Sequence, residues 1–307
     1  MGGWILGFDV GGSKLAAVAG RSDGQVLTEL TQPSLAAGGF PPMWERIAAM
    51  GRELIAGRGA PEAIGVSIGG PVDSARGLVL SPPNLPGWDQ IPLGEKLRAE
   101  FGVPAYVEHD AKAGALAEWM FGAGRGKHTL VFLTFGTGLG AGLVVDGRLV
   151  RGALDGAGEV GHWRMAEQGP VAYGKEGSWE AFCSGAGLPR LAHALFPGTW
   201  HASLTAAGLI ELARGRDERA QRVIRTSAEW LGRGIAQLVD MLNPEVVALG
   251  SLAVRAGDLF LPVVREVVER ECLPGHAAAC EVVAAGLGER IGSTAALCAA
   301  IYQGGRQ

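Results

Sequence analysis

An α/β fold built from two related halves is the organisation this sequence predicts, and three features predict it. Apolar strand-like runs alternate with stretches of helical periodicity along the chain. One pattern (strand, glycine loop, strand, turn, strand) occurs twice, over residues 4–31 and again over 131–151. The composition, 48% hydrophobic and 19% charged with 50 glycines spread over 307 residues, suits a globular enzyme with many tight turns and room for two domains.

The first copy opens with ILGFDV, turns at Gly11 and Gly12, resumes as a strand at Leu15, turns at RSDG and ends with a strand over 25–30. Helical periodicity follows over 43–56, then a short strand over 63–68 and a Pro/Gly-rich loop over 69–88 carrying GGPVD and PPNLPGW. A strand is expected over 103–107 and a helix over 111–121, which Gly122 ends. The second copy reads VFLTF, GTGLG, AGLVV, a DG turn and RLV. Residues 129–145 are uncharged, but Gly136, Gly138, Gly140 and Gly142 interrupt them, so they read as two strands and a loop rather than a membrane span. A helix over 218–242, a strand over 245–249 ending at Gly250 and an apolar helix over 291–301 complete the pattern.

Charge narrows the function. Twenty-seven basic residues against 31 acidic ones give a net charge of −4, and no basic run occurs, so neither a nucleic-acid nor an anionic-membrane partner is indicated. A small ligand is expected instead. Cys183, Cys272, Cys280 and Cys298 form no CxxC pair and lie mostly in apolar surroundings, as reduced thiols of a cytoplasmic protein do. The N-terminus has no basic region and meets Asp9 too soon for a signal peptide, while Leu6 breaks the myristoylation pattern that Gly2 suggests.

Asp9 raises the chemical question, because a carboxylate inside a buried strand is costly unless something pairs with it. The following residues are not a Walker loop, which needs Lys before Ser, nor a GxGxxG that opens a helix. A hairpin in which the backbone N–H groups of Gly11, Gly12, Ser13 and Lys14 approach phosphate oxygens, while Asp9 holds a hydrated Mg²⁺, would supply the missing partner. An ordinary hairpin whose glycines only permit positive φ is the alternative. Gly136, Thr137 and Gly138 offer a second loop of the same kind, and two such loops suit a nucleotide triphosphate. Asp110 has two readings as well: a carboxylate that accepts a hydroxyl proton, or the cap of a helix starting at Ala111, with no Glu or Gln at position 113 to complete a capping box.

With these residues in place, the chain resembles the actin-like sugar-kinase superfamily and, within it, the ROK family (repressors, open reading frames, kinases). DVGGSK, FGTGLGAG, GGPVD, PNLPGW, HDAKAGALAE, GAGEVGH, NPEVVALGS and GLGERIGSTAAL match its motifs in order over nearly the whole length. The resemblance implies a two-lobed α/β fold with ATP and a sugar in the intervening cleft. The lobes would span 1–118 and 119–290, with the helix over 291–307 returning to the first. It implies Asp110 as general base for transfer to a hexose hydroxyl, the 6-hydroxyl of glucose by default. Glu159, His162 and Glu180 would bind the sugar, Asn84 would add an amide contact, and Gly250 would lie beside adenosine. Mg²⁺ with ATP and a homodimer or homotetramer are implied too.

The sequence also departs from the family. His109 stands where Asn is usual, which would either bring a histidine to the sugar contacts or leave it packed at the strand end facing away, and Lys112 replaces another common Asn. Members commonly bind a structural zinc through the histidine of GEVGH and three cysteines, but those positions here are Val171, Tyr173 and Ser178. No structural zinc is expected, and packing of Val171, Tyr173 and Trp179 would hold the loop instead. N-acetylmannosamine, N-acetylglucosamine or fructose are the alternative acceptors and polyphosphate the alternative donor. A sugar-sensing regulator would need a helix-turn-helix before the first loop, for which about four residues leave no room. A non-catalytic actin-like protein would have no use for Asp110 together with Glu159, His162 and Glu180.

Overall fold

The computed structural model describes residues 3–305, so Gly2 and the last two residues of the expected C-terminal segment lie outside it. The chain divides into two units. Unit 1 runs to Phe121 and also takes in Arg151–Ala157 and the residues from Arg290 onward; unit 2 comprises Gly122–Val150 and Gly158–Glu289. Of the stretch 119–290 expected to form one lobe, residues 119–121, 151–157 and 290 cluster with unit 1.

Unit 1 is built from β1 (Ile5–Val10), β2 (Lys14–Gly20), β3 (Val26–Pro33), α1 (Phe40–Ala56), β4 (Ala63–Ile68), the two-residue strands β5 (Val72–Asp73) and β6 (Leu78–Val79), α2 (Leu93–Phe101), β7 (Ala105–His109) and α3 (Asp110–Phe121). Its main sheet has the order β3-β2-β1-β4-β7, antiparallel on the β3 side and parallel on the β7 side. β1 and β2 are buried along nearly all their length, so they read as continuous apolar runs, while β3 alternates at the sheet edge. α1 begins three residues earlier than its periodicity suggests, because Pro41 and Pro42 fit a first turn whose N–H groups need no helical partner.

Unit 2 contains β8 (Leu130–Leu133), β9 (Ala141–Val145), β10 (Arg148–Leu149), the small hairpin β11 (Val171–Ala172) and β12 (Lys175–Glu176), then α4 (Trp179–Cys183), α5 (Gly187–Leu195), α6 (Ala206–Arg214), α7 (Glu218–Leu242), β13 (Val246–Leu249), α8 (Leu252–Glu271), α9 (Pro274–Ala279) and β14 (Glu281–Ala284). Its sheet order, β10-β9-β8-β13-β14, repeats the unit 1 sheet strand for strand, with the same two antiparallel and two parallel pairings. The duplication read from the sequence is therefore one of topology. The uncharged stretch over 129–145 is β8, a loop and β9. Among the described residues no helix is long and apolar enough to cross a membrane.

The last helix, α10 (Ile291–Gly304), packs in unit 1 against β1 and β4. Two glycines admit it: a Cβ at Gly65 would strike the Ala296 carbonyl, and one at Gly7 would lie 3.1 Å from the Ala296 methyl. All four cysteines are free thiols, and burial pushes the Cys183, Cys272, Cys280 and Cys298 thiols above their ordinary range.

Candidate active site

The β1–β2 hairpin places the first group of candidate residues. Gly11 N donates to Lys14 O at 2.9 Å and closes the turn, leaving Gly12, Ser13 and Lys14 exposed. Neither Gly11 nor Gly12 has positive φ, so backbone permission is not why glycine stands here. Close approach is the reason at Gly12, where a Cβ would come within 2.9 Å of the Asn84 carbonyl. The PNLPGW loop is thus seated on the hairpin, with the Asn84 side chain exposed beside it.

Asp9, the penultimate residue of β1, lies opposite Ala16 on β2 and beside Ser67 on β4. Burial raises its pKa to about 6; the Lys14 charge opposes the shift, the Asp110 and Glu29 charges add to it, and a hydrogen bond from Ser67 lowers it. The Lys14 ammonium is held elsewhere, 3.3 Å from Glu29 Oε1, and Ser293 Oγ donates to Glu29 Oε2 at 2.7 Å. Burial works against Glu29 ionisation, but Ser293, Lys14 and Thr31 outweigh it and bring the pKa below the usual value. From the other side, the first turn of α10 presses on Asp9: a Cβ at Gly292 would collide with its Oδ2. Ser67 and Glu29 gave no motif signal, and Gly292, within GLGERIGSTAAL, gave none for this site, since each meets Asp9 or Lys14 only through the sheet or α10.

Asp110 is the first residue of α3, and its carboxylate is half exposed. Its Oδ1 accepts the Ala111 N–H at 2.7 Å, and His109 Nε2 stands 3.4 Å from the same oxygen. Oδ2 has no partner among the described residues. The His109 ring lies against Gly70 of GGPVD, where a Cβ would be 2.8 Å from Nε2, and its Nδ1 is buried without a hydrogen-bond partner. Its neighbour on the surface it presents is therefore Asp110. Lys112 is almost wholly buried and pairs with Asp155 at 3.2 Å.

In unit 2 the second loop is held from below. Gly136 N donates to Gly138 O at 3.0 Å, Gly185 N to Gly136 O at 2.7 Å and Ala186 N to Thr137 O at 3.1 Å, which leaves the Thr137 side chain exposed. Buried Phe135 takes φ 38° before the loop and meets Phe260 edge-on at 5.3 Å. The turn after β13 closes against the same segment: Gly250 N donates to Leu133 O at 2.9 Å, and a Cβ at Gly250 would stand 2.8 Å from Thr134 O.

Glu180, in α4, reaches the underside of this loop. Its Oε2 accepts Leu139 N–H at 2.9 Å and would lie 2.9 Å from a Cβ at Gly138. Burial raises its pKa; the Leu139 bond and the charges of Arg190 and His162 oppose the rise, and the Glu159 charge adds to it. Glu180, Glu159 and His162 are therefore neighbours, and Glu159 and His162 are exposed at either end of the 3₁₀ turn Val160–His162. Arg190, which no motif flagged, sets its charge against the burial of Glu180.

The packing expected around this turn holds only in part. Trp179 is fully buried and stacks on Trp163 at 5.6 Å and 11°. Val171 and Tyr173 are exposed, at 49% and 65%, because β11 turns Ala172 inward and Tyr173 sits in the tight turn with φ 47°. Tyr173 instead stands within electrostatic reach of Glu180 and Glu159.

Two five-stranded sheets of one topology, each with a glycine-bearing hairpin loop after its first strand, give the fold of the actin-like ATPase class. The chain belongs to the ROK family, which residues 5–301 match. It is 33% identical over 301 residues to a glucokinase of Thermotoga maritima, covering 94% of each chain. A ROK hexokinase from Thermus thermophilus superimposes with a TM-score of 0.87 at 31% identity, over 99% of this chain and 100% of that one. A ROK family glucokinase from Streptomyces griseus, solved in complex with glucose and AMPPNP, gives 0.81 at 31% identity, over 96% and 98%.

Proposed function

We propose that this chain transfers the terminal phosphoryl group of ATP to the 6-hydroxyl of glucose, with Asp110 as general base. Its place in the ROK family and its relatives make it an ATP-dependent sugar kinase, and glucokinases at 33% and 31% identity support glucose as acceptor. The observation that carries the assignment of Asp110 is its geometry. Oδ1 is anchored by Ala111 N–H while Oδ2 is free on a half-exposed side chain, so one oxygen fixes the carboxylate and the other accepts the hydroxyl proton. Glu159, His162 and Glu180 Oε1 read the sugar hydroxyls, with Asn84 adding an amide, because carboxylates accept from vicinal hydroxyls and histidine donates or accepts. Gly12, Ser13 and Lys14 in one loop, and Thr137 and Gly138 in the other, offer backbone N–H groups and hydroxyls to the phosphates, Gly11 and Gly136 shape the loops because their own N–H groups close the turns onto Lys14 O and Gly138 O, and Gly250 lies beside the adenosine.

Asp9 suits Mg²⁺. Its carboxylate faces two other acids, and the nearest ammonium is committed to Glu29, so a hard cation is the partner its position lacks. One carboxylate with water and phosphate oxygens is an ordinary Mg²⁺ set. Bound there, the ion would neutralise phosphate charge. A reducing cytoplasm suits the four free thiols, and the family resemblance implies a homodimer or homotetramer.

A coupled ADP-release assay over glucose, fructose and acetylated hexosamines tests the acceptor; no turnover with glucose would overturn it. Asp110→Asn tests the base. Transfer should be lost while sugar and nucleotide still bind, and a variant keeping more than about a tenth of the wild-type kcat, a loss under ~1.4 kcal/mol, would refute the role.

A further inference from the structure

Lys112 is only 2% exposed, yet the chemistry above makes no use of it. Its ammonium lies 3.2 Å from Asp155 Oδ1 and also donates to the Asp155 carbonyl. Asp155 accepts Ser74 N–H at 2.9 Å on Oδ2 and the Arg151 guanidinium at 3.2 Å on Oδ1. Arg151 grips Glu108 with both terminal nitrogens, at 2.6 Å to Oε2 and 3.3 Å to Oε1. Glu108 is wholly buried and also accepts from Gln303 Nε2 and His109 N. Two cations and two carboxylates thus neutralise one another inside unit 1, each with a partner.

The placement of this quartet is informative. Glu108 stands two residues before Asp110 on β7, and Lys112 two residues after it in the first turn of α3. Both are fastened to the same short segment, Arg151–Ala157, by charge-assisted bonds. A buried ion network is costly to desolvate and is commonly no more stabilising than apolar packing of the same volume, so stability alone does not account for it. Geometry does, because anchors on both sides hold the β7–α3 junction against rotation and slippage.

We propose that the Glu108–Arg151–Asp155–Lys112 quartet positions the carboxylate of Asp110, holding the β7–α3 junction so that Oδ2 meets the acceptor hydroxyl at a productive angle. The role rests on Asp110 being the base. Displacing a reacting group by about 1 Å costs on the order of 10²-fold in rate, while sugar contacts made elsewhere are untouched, so the quartet acts on kcat rather than on KM.

The test is the double variant Lys112→Met/Asp155→Asn, which removes one charge of each sign and leaves the Arg151–Glu108 pair intact. Its melting temperature should stay within a few degrees of wild type, KM for glucose within about twofold, and kcat should fall ~30-fold at every pH. A kcat within threefold of wild type overturns the proposal. So does a kcat loss accompanied by a proportionate rise in KM, which general loosening of unit 1 would produce. Arg151→Lys keeps all four charges but gives up the two-point grip on Glu108, and should lower kcat about fivefold at unchanged KM. If the double variant does not fold, an unaltered kcat in Arg151→Lys overturns the proposal. Asp110→Asn separates the two levels. An active Asp110→Asn removes the base assignment itself, whereas an inactive one beside a fully active double variant removes only the positioning role.

Discussion

Replacing Asp9 by Asn should make the ligand-free protein more stable at neutral pH while destroying its activity. The Asp9 pKa is raised from 3.8 to about 6, chiefly by burial. A raised carboxyl pKa means that the folded state resists ionisation. The cost is absent below the unfolded value of 3.8, grows between 3.8 and about 6, and is fully present above that. A shift of about 2 units at ~1.36 kcal/mol each amounts to ~3 kcal/mol. Asn keeps the shape and can still accept from Ser67, but carries no charge. The Asp9→Asn gain should therefore be ~3 kcal/mol at pH 7.5, about half that at pH 5 and close to zero near pH 4. At about 2 °C per kcal/mol for a chain of this size, the melting temperature at pH 7.5 should rise by ~6 °C. Calorimetry across this pH range, on protein treated with chelator so that no cation offsets the charge, reads the effect. A variant less stable than wild type at pH 7.5, or a gain that does not shrink as the pH falls, would refute the reasoning. In the same variant kcat/KM for ATP should fall at least ~100-fold, the cost in stability being the counterpart of a site built for a cation.

Glu180→Ala deprives Leu139 N–H of its acceptor and frees the second loop, so KM for ATP should rise about tenfold along with that for sugar; an unchanged nucleotide KM would detach Glu180 from the loop. Gly65→Ala drives a methyl into the Ala296 carbonyl and should destabilise unit 1 by ~1–3 kcal/mol, read as a lower melting temperature at unchanged KM. Elemental analysis of protein purified without chelator should find well under one zinc per chain, and EDTA should leave its melting temperature unchanged, since Val171, Tyr173 and Ser178 offer no thiolates. Stoichiometric zinc would mean that the stretch around Glu180 has been misaligned.

The doubled sheet was legible because its signal is local. Each hairpin is an apolar run, a glycine-bearing turn and another apolar run, and the strands that pair are neighbours in sequence. Asp9 was legible for the same reason, as a carboxylate inside such a run. The matching signal at Glu108, a carboxylate in AYVEH, passed unread because the residues that satisfy it, Arg151 and Gln303, lie 43 and 195 positions away. Two-residue strands such as β5 and β6 are too short for any period to appear. The orientation of Val171 and Tyr173 depends on which way one tight hairpin turns, and apolarity alone pointed them inward. Gly12 illustrates a subtler gap. Its residue type announced a special position, but only the Asn84 carbonyl at 2.9 Å shows that the demand is space rather than φ.

The return of α10 to unit 1 has a bearing on synthesis. The β1–β4 surface that Gly7 and Gly65 leave open is an apolar strip with no cover until residues 291–304 have been made, some 220 residues after β4 leaves the ribosome. Unit 2, whose strands and long helices lie between, has its whole sheet available by residue 284, so it can complete its sheet while unit 1 still waits for its last helix. During that interval the nascent chain carries a nearly finished sheet with one bare face, the kind of surface that chaperones hold and that aggregates when they do not. Expression of this protein is therefore expected to be most sensitive to changes in the closing helix, including those beyond its first turn, where it no longer meets Asp9.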